Sequence, residues 1–125
     1  MAIVADLGTL QRLPRIVGEG IAREWALTGA DVSADRALSS GLVNQVFEDR
    51  DGLMQRAAEL SAEIAANPPL VVQGTKQVMN WSRDHSVADG LEYVASYNAS
   101  MLQSNDLTEA FMAFMEKRAP TYSGS

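Results

Sequence analysis

The sequence predicts a mainly α-helical chain with one or two short strands near its start. Three observations predict this. Apolar residues recur at helical spacing, as in Leu53, Ala57, Leu60 and Ile64 at i, i+4, i+7 and i+11. Glycines and prolines stand where such stripes begin and end, at Gly18, Gly29, Gly41 and Pro68-Pro69. Two segments instead read as extended: the short apolar Ile3-Val4-Ala5, and Leu42-Val43-Asn44-Gln45-Val46-Phe47, which is rich in β-branched and aromatic residues.

Taken in order, Leu10, Leu13, Ile16 and Val17 follow Thr9 with helical spacing and stop at Gly18. Pro14 lies inside this pattern and is expected to kink or divide it. Glu19 to Thr28 reads as a second helix with Ile21, Trp25 and Leu27 turned inward and Gly29 as its C-cap. Ser33 or Asp35 caps a small helix through Leu38, ended by Gly41. Asp49-Arg50-Asp51-Gly52 reads as a turn after the strand at Leu42–Phe47. The Leu53–Ile64 stripe follows, closed by Asn67-Pro68-Pro69, which also opens the next helix. Val71, Val72, Thr75, Val78 and Met79 form the inner face of that helix. Ser86-x-x-Asp89 resembles a capping box, with Asp in place of Glu, ahead of Val87, Leu91, Val94 and Met101. Asn105 or Asp106 caps a last helix carrying Leu107, Ala110, Phe111, Phe114 and Met115.

Composition narrows the function classes. The chain has 125 residues, 46% of them apolar, which argues against a disordered acidic chain and fits one compact domain with a core of useful size. Ten Lys and Arg against sixteen Asp and Glu give a net charge of −6, which disfavours nucleic acid and anionic membranes as partners. Zero cysteines remove disulfides, thiolate nucleophiles and Cys-ligated metals, and one histidine removes the H-E-x-x-H zinc pattern. No apolar run approaches the ~20 residues of a membrane span. With no signal-peptide pattern at the start and no S-K-L end, the expected compartment is the cytoplasm. Gly18-x-Gly20 is not a dinucleotide fingerprint, because Arg23 stands in place of the third glycine.

A lone strand at residues 3–5 has no nearby pairing partner, and two short strands make no sheet with its own core. The chain therefore reads as the second half of something larger, or as a domain that needs a partner surface.

The segment Ala5-Asp6-Leu7-Gly8-Thr9-Leu10-Gln11-Arg12-Leu13-Pro14-Arg15-Ile16-Val17-Gly18 resembles the central signature of the crotonase (enoyl-CoA hydratase/isomerase) superfamily. Ala26-Leu27-Thr28-Gly29, Ala34-Asp35-Arg36-Ala37-Leu38, Gly41–Phe47 and Phe114-Met115-Glu116-Lys117-Arg118 follow in family-like order. Within the superfamily the chain is most similar to the Δ3,5-Δ2,4-dienoyl-CoA isomerases. That likeness rests on Asp6 ahead of Leu7-Gly8-Thr9 and on Ser82-Arg83-Asp84-His85-Ser86-Val87 with Tyr93–Asn98 and Met101-Leu102-Gln103 behind it. The resemblance implies an α/β crotonase-like fold of which this is the C-terminal half: residues 1–49 would end the core and carry the catalytic turn, and 50–125 would form a helical oligomerisation region. The oxyanion-hole donors and the family's catalytic glutamate would then lie upstream of Met1.

The resemblance also assigns roles. Asp6 becomes the acid that protonates the far end of the diene, while the absent glutamate removes the proton beside the thioester carbonyl. Its apolar flank, Ile3-Val4-Ala5 and Leu7, is expected to bury the carboxyl and favour its protonated form. From the local pattern alone, a helix-capping aspartate is the commoner arrangement. Gly8 and Thr9 would make a turn facing the acyl group, or simply a tight turn. Lys117 and Arg118, with Lys76 elsewhere, are candidates for the CoA phosphates; cations at a helix C-terminus explain the pair equally well. His85 reads as a loop or capping residue. Trp81, Tyr93, Tyr97, Phe111 and Phe114 read as packing first and acyl-pocket lining second. The implied substrate is an acyl-CoA thioester, with no metal or redox cofactor, and the implied assembly is a homotrimer or hexamer, or a pairing with the missing N-terminal half. The alternatives are an enoyl-CoA hydratase and a noncatalytic helical interaction fragment.

Overall fold

The computed structural model describes residues 2–125. Among them lie seven helices: α1 (Thr9–Val17), α2 (Glu19–Thr28), α3 (Ala34–Ser39), α4 (Arg50–Ala65), α5 (Pro69–Ser82), α6 (Val87–Met101) and α7 (Asn105–Glu116). The chain divides into two compact units, Met1–Gln55 and Arg56–Ser125, and the division falls inside α4.

In the first unit, α1 packs on α2. Pro14 sits within α1, yet the helix continues through it, and the Gly18 N–H donates to the Pro14 carbonyl 3.0 Å away. The expected break does not occur. Gly18, at φ 84°, ends α1 and also starts α2. Gly29, at φ 62°, closes α2 in the left-handed conformation, where glycine carries no Cβ penalty. Ile21 and Trp25 are half-buried, but Leu27 is 84% exposed, contrary to its expected inward position. The Ser33 side chain caps α3 by accepting from the Arg36 N–H at 3.2 Å.

Among the described residues there is no strand, so both extended expectations are corrected. The Leu42 and Val43 N–H groups fold back onto the Ala37 carbonyl, at 2.9 and 3.3 Å, and are used up in that turn. A strand needs a neighbour for its N–H and C=O groups, and the chain supplies none at either segment. Asp49 caps α4 instead of closing a separate turn: its Oδ1 accepts from the Gly52 N–H at 2.7 Å.

In the second unit α5 and α6 pack closely. The contact is made by glycines the periodicity passed over. Gly74 lies against the Tyr97 ring and Gly90 against Ser82; both are buried, while Val71, Met79, Val87 and Leu91 are exposed. The capping box forms in full, with the Ser86 side chain accepting from the Asp89 N–H and the Asp89 carboxylate accepting from the Ser86 N–H, both at 3.1 Å. The Ser86 hydroxyl also donates to Asp89 Oδ2 at 2.6 Å, and this bond, followed by the one from the Ser86 N–H, holds the Asp89 carboxyl below the usual carboxylate range. The last cap is Ser104, which accepts from the Leu107 N–H at 3.2 Å, and not Asn105 or Asp106.

The expectation of a core of useful size fails for this chain by itself. Among the described residues, the buried apolar ones are Val17, Ala22, Ala37 and Ala113, all of modest size. The accessible surface is 9879 Å² for 13.5 kDa. Two separate compact domains of half that mass would expose roughly 7,900 Å² in all. Large apolar side chains are among those exposed, including the Leu53–Leu60–Ile64 stripe of α4 and Phe111, Phe114 and Met115 of α7. These stripes have the periodicity of a covered face and lie uncovered here.

Candidate functional site

The candidate site begins at the turn Asp6–Thr9. The Thr9 N–H donates to the Asp6 carbonyl at 3.0 Å, and the two central residues both have positive φ, 52° at Leu7 and 82° at Gly8. That is the pattern of a type I′ turn. Gly8 enters this region without strain, whereas a leucine there costs on the order of 1–2 kcal/mol. A Cβ on Gly8 would meet Arg12 Nε at 3.3 Å, a contact that the exposed arginine side chain can relieve, so the positive φ is what calls for glycine here. Gly8 is the N-cap of α1 and offers no side chain to the first helical N–H groups.

Asp6 is exposed, which corrects the expected buried carboxyl. It does not cap α1 with its side chain either; its carbonyl makes the turn. Its apolar neighbours share the exposure, at 67% for Ile3, 78% for Val4 and 90% for Leu7. Thr9 is exposed beside them. Further along α1, an open apolar groove of about 320 Å³ runs between Leu10, Leu13 and Pro14 on one side and Ala22, Ala26 and Leu27 on the other, with Glu19 and Arg23 also lining it.

The two basic candidates belong to the second unit and stand at the end of α7. Lys117 is exposed and takes the left-handed C-cap conformation at φ 54°, its N–H directed to the Ala113 and Phe114 carbonyls. Arg118 is committed elsewhere. Its guanidinium grips Glu109 in a two-pronged pair, Nη1 to Oε1 at 2.5 Å and Nη2 to Oε2 at 2.8 Å, and its Nε donates to Glu116 Oε2 at 2.6 Å. Arg118 and the Thr121 N–H together hold the Glu109 carboxyl down at about 2, and the two carboxylates hold the guanidinium firmly in its charged form.

Sequence reasoning took Asp106 for a candidate helix cap and missed both its actual partners and the pairing of Glu109 and Glu116 with Arg118. Asp106 is only 3% exposed; its Oδ1 accepts from the Ser123 N–H at 2.7 Å and its Oδ2 from the Gly124 N–H at 3.0 Å. The Asn105 N–H donates to the Ser125 carbonyl at 2.7 Å, so residues 121–125 lie back along the start of α7. Nothing in helical spacing signals a pair nine residues apart across a helix end, or a tail returning to residue 106. His85 stacks on Trp81 with centroids 3.6 Å apart and directs Nδ1 to the Trp81 carbonyl at 2.7 Å; Tyr93 stacks on the same indole at 4.5 Å. Among the described residues, no three His, Asp or Glu side chains gather as a metal-holding group, and no helix is long and apolar enough to cross a membrane.

Comparison with known proteins decides the family. The family model described as enoyl-CoA hydratase/isomerase matches residues 1–125. This chain belongs to the enoyl-CoA hydratase/isomerase family. That is a family of enzymes. The chain is 49% identical over 122 residues to a protein of Dictyostelium discoideum named Δ(3,5)-Δ(2,4)-dienoyl-CoA isomerase, mitochondrial, a match covering 98% of this chain and 42% of that one. It is 48% identical over 122 residues to a peroxisomal protein of the same name from Arabidopsis thaliana, covering 98% and 44%. A crystal structure of an enoyl-CoA hydratase from Bacillus anthracis superposes with a TM-score of 0.94 at 34% identity, covering 99% of this chain and 48% of that one.

Three conclusions follow for this hydratase/isomerase-family chain. It shares the backbone path of crotonase-fold neighbours while spanning less than half the length of the relatives it matches. The matches do not bear out its expected placement in their C-terminal half. The cytoplasmic expectation is overturned, because these relatives are named mitochondrial or peroxisomal.

Proposed function

We propose that this chain is part of an acyl-CoA isomerase that converts 3,5-dienoyl-CoA to 2,4-dienoyl-CoA, a step in oxidising unsaturated acyl chains, with Asp6 as its proton donor. The observation that carries the reading is the strained turn that presents Asp6 amid exposed Ile3, Val4 and Leu7. A surface of that composition is suited to being covered, and the remainder of the enzyme, more than half its length by comparison with the relatives, would cover it. Covering it takes the Asp6 carboxyl out of water, and a desolvated carboxyl holds its proton and can deliver it. The strain at Leu7 fits a residue held in place by function.

The chemistry is two proton transfers. A base from the remainder of the enzyme, a glutamate by family resemblance, removes a proton from C2. The C–H electron pair forms the C2=C3 bond, the diene electrons shift to C4=C5, and C6 takes a proton from Asp6. The thioester oxygen carries the intervening negative charge and needs paired N–H donors. The exchange is redox-neutral, so the reaction itself calls for no electron carrier. Gly8 and Thr9 face the acyl chain in this reading, and Lys117 meets the CoA phosphates. A homotrimer or pair of trimers would cover the apolar stripe of α7.

The test is Asp6→Asn in the complete enzyme. Isomerisation should fall by about 10²–10⁴-fold, while acyl-CoA affinity stays within about twofold. Unchanged turnover would remove Asp6 from the mechanism. A second reading, hydration of a 2-enoyl-CoA, draws on the backbone likeness to the Bacillus anthracis hydratase; the aspartate at position 6 speaks against it.

A further inference from the structure

Lys117 and Arg118 are adjacent cations, and the structure gives them different work. Arg118 faces two carboxylates, Glu109 in a two-pronged pair and Glu116 through Nε, so its charge is already met twice. Its backbone is fixed too, the Arg118 N–H donating to the Ala113 carbonyl at 3.1 Å. On the other side, the Lys117 N–H donates to the Phe114 carbonyl at 3.3 Å. Lys117 is thus held between two anchored peptide groups, in a left-handed conformation that a residue with a Cβ seldom adopts unaided. Glu109 ties the arrangement to the body of α7 and extends it by accepting from the Thr121 N–H at 2.8 Å.

From this geometry we infer that Glu109 is a positioning residue for CoA recognition: by clamping Arg118 it fixes the turn that aims the Lys117 ammonium at the CoA phosphates, and Arg118 itself contacts no phosphate. The inference rests on the proposed role of Lys117. It goes beyond it by making an acid necessary to an anion site. Simple charge counting says the opposite. Glu109→Gln removes a negative charge from the end of α7 and leaves the Arg118 guanidinium one carboxylate, Glu116, and both changes would tighten anion binding. The clamp predicts weaker binding, because an unpinned Lys117 spends its time in other conformations and ordering it costs affinity.

The experiment measures binding of CoA and of pantetheine, which lacks the nucleotide and its phosphates, to the complete enzyme by calorimetry. Lys117→Ala should weaken CoA about tenfold and leave pantetheine unchanged, and Glu109→Gln should weaken CoA by about three- to tenfold with pantetheine again unchanged. The double variant should be no weaker than Lys117→Ala, since both changes remove one interaction. Glu109→Asp, which keeps the charge on a shorter arm, should recover part of the loss. If Lys117→Ala weakens CoA while Glu109→Gln leaves it unchanged or tightens it, the clamp is wrong and the role of Lys117 stands. If Glu109→Gln weakens pantetheine equally, its effect is general loosening of the fold and the clamp is wrong. If Lys117→Ala changes nothing, or CoA binds no better than pantetheine to the unaltered enzyme, the role of Lys117 falls and the clamp with it.

Discussion

Adding one methyl group at Gly74 tests the packing of the second unit, because two effects of opposite sign meet there. A Cβ at Gly74 would run into Tyr97 Cε1 and lie 3.0 Å from Cζ and 3.2 Å from Cδ1. Carbon atoms in contact sit about 3.5–4.0 Å apart, so the Tyr97 ring or the whole of α6 must move by about an ångström. Overpacking of this kind costs about 1–3 kcal/mol. Against it, alanine is a better helix former than glycine by about 1 kcal/mol in a helix interior. A displacement of about an ångström puts the cost in the upper part of that range, about 2–3 kcal/mol, so the clash wins and Gly74→Ala should lose about 1–2 kcal/mol net. Gly20→Ala in α2 is the control, since nothing lies within 4 Å of its Cβ; it should be neutral or gain a few tenths of a kcal/mol. The assay is urea unfolding followed by circular dichroism, comparing midpoints at unchanged slope. In the double variant with Tyr97→Ala, the combined loss should be smaller than the two single losses together. A Gly74→Ala protein as stable as the unaltered one would refute the close approach of α5 to Tyr97.

Other outcomes follow from single contacts. Ser104→Ala removes the side-chain cap of α7 and should cost about 1 kcal/mol in the same unfolding assay. Asp106→Ala leaves the Ser123 and Gly124 N–H groups without their acceptor; hydrogen exchange at those two amides should rise roughly tenfold or more while α2 amides are unchanged. Glu109 has its folded-state carboxyl held at about 2 against an ordinary 4.5. Its pairing with Arg118 therefore contributes stability above about pH 4.5, and that contribution is lost as pH falls toward 2. Stability followed by pH titration should decline across that window, and Glu109→Gln should flatten the decline.

Much of the helical layout was legible because caps and stripes are local. Gly18, Gly29, Ser33 and the Ser86–Asp89 box each mark a boundary with groups within four residues of one another, so spacing alone finds them. The strands were not legible as absent, since Leu42–Phe47 has strand composition and the composition cannot say whether a partner strand is at hand. On the inner face of α5, Val72 and Val78 are half-buried as expected, while Val71, Thr75 and Met79 are exposed, for a related reason. Periodicity picks the large residues Val71 and Met79, whereas Gly74 makes the closest approach because it has no side chain to hold the helices apart. At the site, Asp6 stood out by its apolar neighbours, but its exposure was not legible, because Ile3, Val4 and Leu7 are themselves exposed and bury nothing beside it. The Glu109–Arg118–Glu116 cluster escaped notice because it spans the end of a helix, where the i, i+4 rule no longer applies.

The central claim is that this chain serves double-bond migration in an acyl-CoA. The most direct measurement is to present the complete enzyme with 3,5-dienoyl-CoA and with 2-enoyl-CoA of equal chain length and to compare kcat/KM for the two. The account predicts formation of 2,4-dienoyl-CoA faster than hydration by about a hundredfold or more. Hydration of the 2-enoyl thioester as the faster reaction would contradict it.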